Sequence, residues 1–74
     1  MTKEEKRQII MDAKYARIIN DMSEMYHIPI DKAVDIFYNS ETASLIDEGV
    51  ADLHCRSDKY LATEIWNEYL ENQN

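Results

Sequence analysis

The chain contains one glycine, Gly49, and one proline, Pro29, among its 74 residues. Glycine and proline are the residues that most often interrupt regular secondary structure, so long stretches without them favour helices. No stretch alternates apolar and polar residues in the way that a half-buried strand does. The sequence therefore predicts an all-α fold, a small single-domain bundle of about four helices.

Capping residues and the proline predict where the first helix begins and ends. Thr2, with Glu5 three residues later, forms a capping box that satisfies backbone N–H groups at a helix start. The helix then continues to about Tyr26. Residues 27–30 end it, because the residue before Pro29 is pushed away from the helical region of backbone space.

Two shorter helices are predicted in the middle of the chain. Asp31 is expected to cap a helix over residues 32–38, and Ser40 to cap another that ends at Glu48. Gly49 suits a left-handed helix end. Alternatively, the helix continues through Gly49, because the apolar residues on either side of it still share one face. These residues are Leu45, Ile46, Val50 and Leu53.

The last helix is predicted to begin at Ser57 or Asp58, since either side chain can cap a helix. It fades within residues 71–74, which contain no apolar side chain. The connection between the third and fourth helices is left open by the sequence.

Apolar residues at helical spacing predict one hydrophobic core. The first helix contributes Met11, Tyr15, Ile18, Ile19, Met22 and Tyr26, and the last contributes Leu61, Ala62, Ile65, Trp66 and Tyr69. Val34, Phe37, Leu45, Ile46, Val50 and Leu53 lie between them. A chain of this length has room for one core and not for a large ligand cavity. We expect a single domain over residues 1–74, frayed at residues 1–2 and 72–74.

Charge is distributed unevenly along the chain. The net charge is −7, yet residues 1–20 carry five basic side chains against three acidic ones, and residues 21–74 carry twelve acidic against three basic. An acidic body repels phosphate backbones and attracts basic partners. The sequence therefore favours a protein partner and disfavours nucleic-acid binding.

The single cysteine, Cys55, cannot form an internal disulfide, which favours a reducing compartment. No apolar run approaches the roughly 18 residues of a membrane span. The charged start of the chain does not suit a signal peptide. We therefore expect a cytoplasmic protein without a membrane span.

His54 and Cys55 are the candidates for catalysis or metal binding, and we expect neither. Neighbouring residues on a helix point about 100° apart, so His54 cannot serve Cys55 as a base. A zinc site that adds His27 would lack a fourth ligand. Cys55 is expected to be buried or half-buried. Glu64 and Glu68 repel each other at a spacing of four, which predicts that both are exposed. We expect no enzyme, no catalytic residue, no cofactor and no metal.

Five basic side chains of the first helix fall on one arc of about 100°. This basic stripe consists of Lys3, Lys6, Arg7, Lys14 and Arg17. Aromatic side chains do not interleave with it, so we expect it to be solvated or to contact an acidic patch on a partner. Binding of nucleic acid or of an anionic membrane through the stripe is the alternative.

A smaller apolar strip lies roughly opposite the main core face of the first helix, at Ile9, Ala13 and Ala16. Small side chains let another helix approach closely. We expect a neighbouring helix of the same chain to cover part of the strip. Otherwise the strip is an interface for a homodimer or for another protein.

A set of short motifs covers most of the chain from about Tyr15 onward. The set comprises residues 28–37, Leu45–Ile46, Gly49, Leu53–His54, Tyr60 and Glu64–Ile65. It resembles a family of short bacterial proteins classed only as a domain of unknown function. That family often has threonine where this chain has Cys55. The resemblance implies a helical domain without known catalytic residues.

Members of that family are often encoded beside ADP-ribosyltransferase-like or other toxin-like proteins, so the resemblance also implies an antitoxin-like or accessory role. We therefore expect a small acidic protein–protein interaction module that regulates a toxin-like enzyme. An acidic mimic of nucleic acid, of the kind that phages use as inhibitors, is one alternative. A nucleic-acid or membrane binder that uses the basic stripe is the other.

Overall fold

The computed structural model describes the backbone of residues 3–73 and the side chains of residues 12–73. Residues 3–73 form four α-helices: α1 (Lys3–Tyr26), α2 (Ile30–Tyr38), α3 (Glu41–Glu48) and α4 (Asp58–Asn72). A 3-10 segment (Val50–Cys55) lies between α3 and α4. Residues 3–73 contain no strand, so the predicted all-α class is confirmed. The capping box predicted from Thr2 lies outside the described residues.

A left-handed residue closes α1. His27 has a φ of 54°, and the N–H of Ile28 donates to the carbonyl oxygen of Ser23 at 3.1 Å. This is the hydrogen bond of a Schellman motif, which satisfies a carbonyl group at the helix end. The Ser23 hydroxyl also donates to the Ile28 carbonyl at 2.6 Å. The break predicted at residues 27–30 is present, and His27 ends the helix before Pro29 is reached.

The prediction that Asp31 caps α2 is wrong. The helix begins at Ile30, and Pro29 occupies the cap position without a side-chain hydrogen bond. The extended backbone of Pro29 (φ −61°, ψ 150°) aims its carbonyl at the Ala33 N–H, 3.0 Å away. Asp31 instead lies in the first turn, where its negative charge is attracted by the positive end of the helix dipole.

The predicted ends of α3 and the start of α4 are confirmed. The Ser40 hydroxyl accepts a hydrogen bond from the Ala43 N–H, and the Ser57 hydroxyl accepts one from the Tyr60 N–H, both at 3.1 Å. Gly49 has a φ of 76°. An added Cβ would meet no atom within 4 Å there, so the backbone conformation, not space, is what favours glycine. The alternative of a helix continuing through Gly49 is wrong.

The 3-10 segment contains two further left-handed residues, Ala51 (φ 52°) and Asp52 (φ 54°). This conformation costs an L-residue about 1–2 kcal/mol because the Cβ crowds a carbonyl oxygen. The backbone here turns away from the helical path of α3. Val50 is consequently 42% exposed, and its predicted place in the core is wrong.

The core lies mainly between α1 and α4. Ile18 and Met22 of α1, with Leu61 and Ile65 of α4, have no exposed surface. The other buried apolar residues are Tyr15, Ile19, Ala33, Ile36, Phe37, Ala43, Ile46 and Ala62. Tyr26, Val34, Leu53, Trp66 and Tyr69 are partly buried against this cluster. Met11 lies outside the described side chains. Ala33, Ile36 and Ala43 are core residues that were not predicted from the sequence.

Within residues 3–73, no helix combines the length and the apolar character that crossing a bilayer requires.

Replacing Ala51 by glycine should raise the free energy of unfolding by about 0.5–1 kcal/mol. Glycine removes the steric cost of the left-handed backbone, and the flexibility that it adds to the unfolded chain offsets only part of that gain. Urea unfolding measures the change. Ala16→Gly is the matched control, because Ala16 is exposed in the middle of α1 and its replacement should destabilise the protein by about 1 kcal/mol. Equal losses in both variants would contradict the left-handed assignment.

Candidate protein-interaction surface

One side of α2 carries apolar side chains that the core does not cover. Ile30, Val34 and Tyr38 are spaced four residues apart, so they follow one side of the helix over about 12 Å. Ile30 is 52% exposed and Tyr38 is 65% exposed, whereas Val34 is partly buried against the core. We call these three residues the α2 stripe. Of these three residues, only Val34 was predicted, as a core residue, and the stripe was not predicted from the sequence.

Carboxylates lie beside the α2 stripe. Asp31 and Asp35 directly follow Ile30 and Val34 in the sequence, and both are exposed. At about 100° per residue they fall next to the stripe, on the side away from the core. Lys32, the basic residue of α2, lies on the opposite side. Its Nζ stands 5.8 Å from the ring centre of Tyr69 on α4. The surroundings of the stripe on α2 are therefore negative.

The stripe ends at a groove of about 500 Å³ between α1, α2 and α3. Its aromatic residues are Tyr15, Phe37 and Tyr38. The Phe37 and Tyr38 rings lie edge to face, with their ring centres 5.0 Å apart. The Tyr15 hydroxyl donates to Asp47 Oδ1 at 3.0 Å. Glu48 is exposed on the same groove. Tyr15 and Phe37 are buried and Tyr38 is exposed, so the Tyr38 ring, with carboxylates near it, is suited to basic side chains through cation–π and ionic contacts.

A second groove, of about 350 Å³, lies between α2 and α4 and is lined by Ile36, Ser40, Glu68 and Tyr69 among others. Both grooves are open surface features between helices, so neither contradicts the expectation that the core has no room for a large ligand cavity.

The two described members of the basic stripe hold α4 against α1. Lys14 Nζ lies 3.0 Å from Asp58 Oδ1, and Arg17 Nε lies 2.8 Å from Asp58 Oδ2. Lys14 also donates to the Arg56 carbonyl at 2.9 Å. Its side chain is only 13% exposed. Lys14 is thus largely withdrawn from a solvated face. The side chains of Lys3, Lys6 and Arg7 lie outside the described residues.

Partial burial raises the pKa of Asp58, but hydrogen bonds and charge from Arg17 and Lys14 outweigh it and hold that pKa below its usual value. The carboxylate therefore stays ionised well below neutral pH. The Asp58 carboxylate pairs with both Lys14 and Arg17, and these contacts fix the N-terminal end of α4 on α1.

Glu68 caps α3 from a different helix. Its Oε2 accepts from the Glu41 N–H at 2.7 Å. Its Oε1 accepts from the Thr42 N–H at 3.0 Å and from the Thr42 hydroxyl at 2.7 Å. The prediction that Glu68 is exposed is wrong. The N–H groups at the start of α3 have no partner within their own helix, so the Glu68 carboxylate gains hydrogen bonds there that outweigh its repulsion by Glu64. Glu64 is exposed as predicted.

Partial burial raises the pKa of Glu68, but the hydrogen bonds from Thr42 and from the Glu41 N–H outweigh it and lower that pKa. Together with Asp58, Glu68 places a stabilising carboxylate on each half of α4.

An aromatic cluster covers the open edge of the core. Tyr26 and Trp66 stack almost in parallel, with ring centres 4.4 Å apart. The ring centres of Trp66 and Tyr69 are 5.4 Å apart. The Tyr26 hydroxyl donates to Thr63 Oγ1 at 3.4 Å. Trp66 is partly buried against the core, as expected for a side chain at its edge.

The last motifs of the family resemblance do not form one site. They are Leu53, His54, Tyr60, Glu64 and Ile65. Leu53 is partly buried against the core and Ile65 is fully buried. His54 is exposed, as are Glu64 and Tyr60, and the Arg56 guanidinium lies 5.6 Å from the Tyr60 ring centre.

The thiol of Cys55 is exposed, so the prediction that it is buried or half-buried is wrong. The 3-10 segment has no buried residue, which leaves both Cys55 and His54 at the surface. Within residues 12–73, no three His, Cys, Asp or Glu side chains are grouped so that they could hold a metal ion.

The small apolar strip is uncovered in the described part of α1. Ala13 and Ala16 are both exposed, and the side chain of Ile9 lies outside the described residues. The expected cover by another helix of the same chain is therefore absent at these two alanines.

The chain matches no protein-family model, no curated protein and no solved structure. The resemblance to short bacterial proteins of unknown function therefore stays a prediction.

Glu68→Ala should lower the free energy of unfolding by about 1–2 kcal/mol, the usual range for loss of a helix cap. Urea unfolding measures the loss. Glu64→Ala is the control one turn earlier on α4, and an exposed site should change the value by less than about 0.5 kcal/mol. If both variants lose equally, the carboxylate of Glu68 does not act as a cap.

Stability should fall in acid because the folded state lowers the pKa of both Asp58 and Glu68. The contribution of these two carboxylates to the free energy of unfolding is complete at pH values above the ordinary carboxyl pKa values of about 3.9 and 4.3. It is lost as the pH falls through the lowered pKa values of the folded state. Urea unfolding between about pH 7 and pH 3 should show this decline. Asp58→Asn with Glu68→Gln should flatten it. An equally steep decline in the double variant would assign the acid sensitivity to other carboxylates.

Proposed function

We propose that this protein is a small acidic protein–protein interaction module that binds a basic protein, and that it neutralises a toxin-like enzyme in the manner of an antitoxin. The toxin-like partner rests on the resemblance to short bacterial proteins alone. A cytoplasmic location belongs to the same proposal, since the exposed thiol of Cys55 suits a reducing compartment.

The charge on the surface carries the proposal. Residues 21–74 have twelve acidic side chains against three basic ones. Lys14 and Arg17 both pair with Asp58, which is one of these acids, so this cluster adds only one net positive charge to the described surface. Lys32, whose Nζ stands 5.8 Å from the ring centre of Tyr69, is one of the three basic side chains already counted. Such a surface accelerates encounter with basic proteins and repels nucleic acids and anionic membranes.

A basic enzyme is an appropriate target for such a module. Enzymes that bind nucleotides or nucleic acids often carry basic clefts, and an acidic protein can occlude a cleft of that kind without supplying any catalytic group. The proposal therefore requires affinity and charge complementarity from this chain and no chemistry.

Affinity capture of the tagged protein from its native host tests the proposal. We expect recovery of one or a few basic proteins at about 0.1 M salt and their loss at about 1 M salt, where the Debye length falls from about 10 Å to 3 Å. A matched variant, Asp31→Asn, Asp35→Asn, Glu48→Gln and Glu64→Gln, should recover less of the same proteins. The captured enzyme should also lose activity when the purified module is added.

Two outcomes would contradict the proposal. Recovery of nucleic acid in place of protein would favour a binder that uses the basic stripe. Recovery of the same proteins by wild type and by the charge-neutralised variant at both salt concentrations would show that the acidic surface does not select the partner.

A further inference from the structure

We propose that the α2 stripe is the docking surface, and that its occupant is a basic amphipathic helix of the partner protein. This inference rests on the proposed function, because it names the surface that binds the basic partner and the kind of segment that is bound.

The first support is the geometry of the stripe. Residues four apart form the ridge that packs into a groove of a second helix in the commonest class of helix packing. The stripe presents Ile30 and Tyr38 at its two ends, 52% and 65% exposed. Over about 12 Å it spans roughly two turns of a partner helix. A helix with apolar residues at i, i+3, i+4 and i+7 presents a matching face.

The second support is the partly buried middle of the stripe. Val34 is packed against the core, so the middle of the stripe is held to the core. Tyr38 contacts the buried Phe37 ring edge to face at 5.0 Å, which limits the positions that its ring can adopt. An anchored, exposed aromatic side chain binds at low conformational-entropy cost.

Charge complementarity identifies the occupant as basic. Asp31 and Asp35 lie beside the stripe, and Glu48 is exposed on the groove at its Tyr38 end. Lys32 is turned toward Tyr69 on the other side of α2. An uncharged or acidic helix would meet these carboxylates without compensation, whereas Lys or Arg residues flanking an apolar face would pair with them.

The test uses a synthetic peptide of about 18 residues, with leucine at i, i+3, i+4 and i+7 and lysine elsewhere. A peptide of the same composition with the helical spacing scrambled is its control. Titration into the ¹⁵N-labelled wild-type protein should shift the amide signals of residues 30–39 most. The scrambled peptide should bind about tenfold more weakly or worse.

Two variants separate the apolar and ionic parts of the contact. Ile30→Ser with Tyr38→Ser should weaken binding of the peptide about tenfold or more, at low and at high salt. Asp31→Lys with Asp35→Lys should weaken it at about 0.1 M salt and have little effect at about 1 M. Leu70→Ser, at an α4 residue that is 44% exposed, and Glu64→Lys are controls outside the stripe and should weaken binding less than the paired variants do.

Circular dichroism verifies that each variant folds, and the mapping on wild type does not depend on the variants. Shifts centred outside α2, or equal losses in the control variants, would overturn the docking surface and leave the proposed function standing if capture succeeds. Absence of peptide binding at about 0.1 M salt would overturn the basic-helix occupant. A wild-type dimer that dissociates in the Ile30→Ser, Tyr38→Ser variant would show that a second copy occupies the stripe.

Discussion

The packing of α1 against α4 is the interaction on which the rest of the structure depends. Ile18 and Met22 on one helix, and Leu61 and Ile65 on the other, are fully buried. Each such burial contributes about 1.5–3 kcal/mol relative to exposure. α4 also carries the carboxylate of Glu68 that caps α3, so the position of α3 follows from that of α4. Without this contact α2 and α3 would lose the surface on which they pack, and α3 would lose the cap from Glu68.

The same dependence is consistent with the docking surface that we propose on α2. α2 contributes Ala33, Ile36 and Phe37 to a core that α1 and α4 already organise. Ile30 and Tyr38 lie outside this core and are exposed. Exposed apolar residues in register on a short helix, with carboxylates beside them, favour recognition of another protein over a role in stability.

Local rules predicted most of the fold, and contacts between distant residues account for what they missed. Ser40, Gly49 and Ser57 mark helix ends because each acts on backbone groups within a few residues, and helical spacing identified the main core. The cap made by Glu68 spans 26 and 27 residues to Thr42 and Glu41, so no local pattern contains it. The α2 stripe was not predicted for a similar reason. Only the path of the chain shows which apolar residues of α2 the other helices cover and which stay exposed.

Hydrogen–deuterium exchange of the protein, alone and in complex with a captured basic protein, locates the surface that the partner covers. Amides of Ile30–Tyr38 should become protected in the complex while those of the α4 core exchange at unchanged rates. Protection confined to α4 or to the 3-10 segment, with α2 unchanged, would contradict the proposed docking surface on α2.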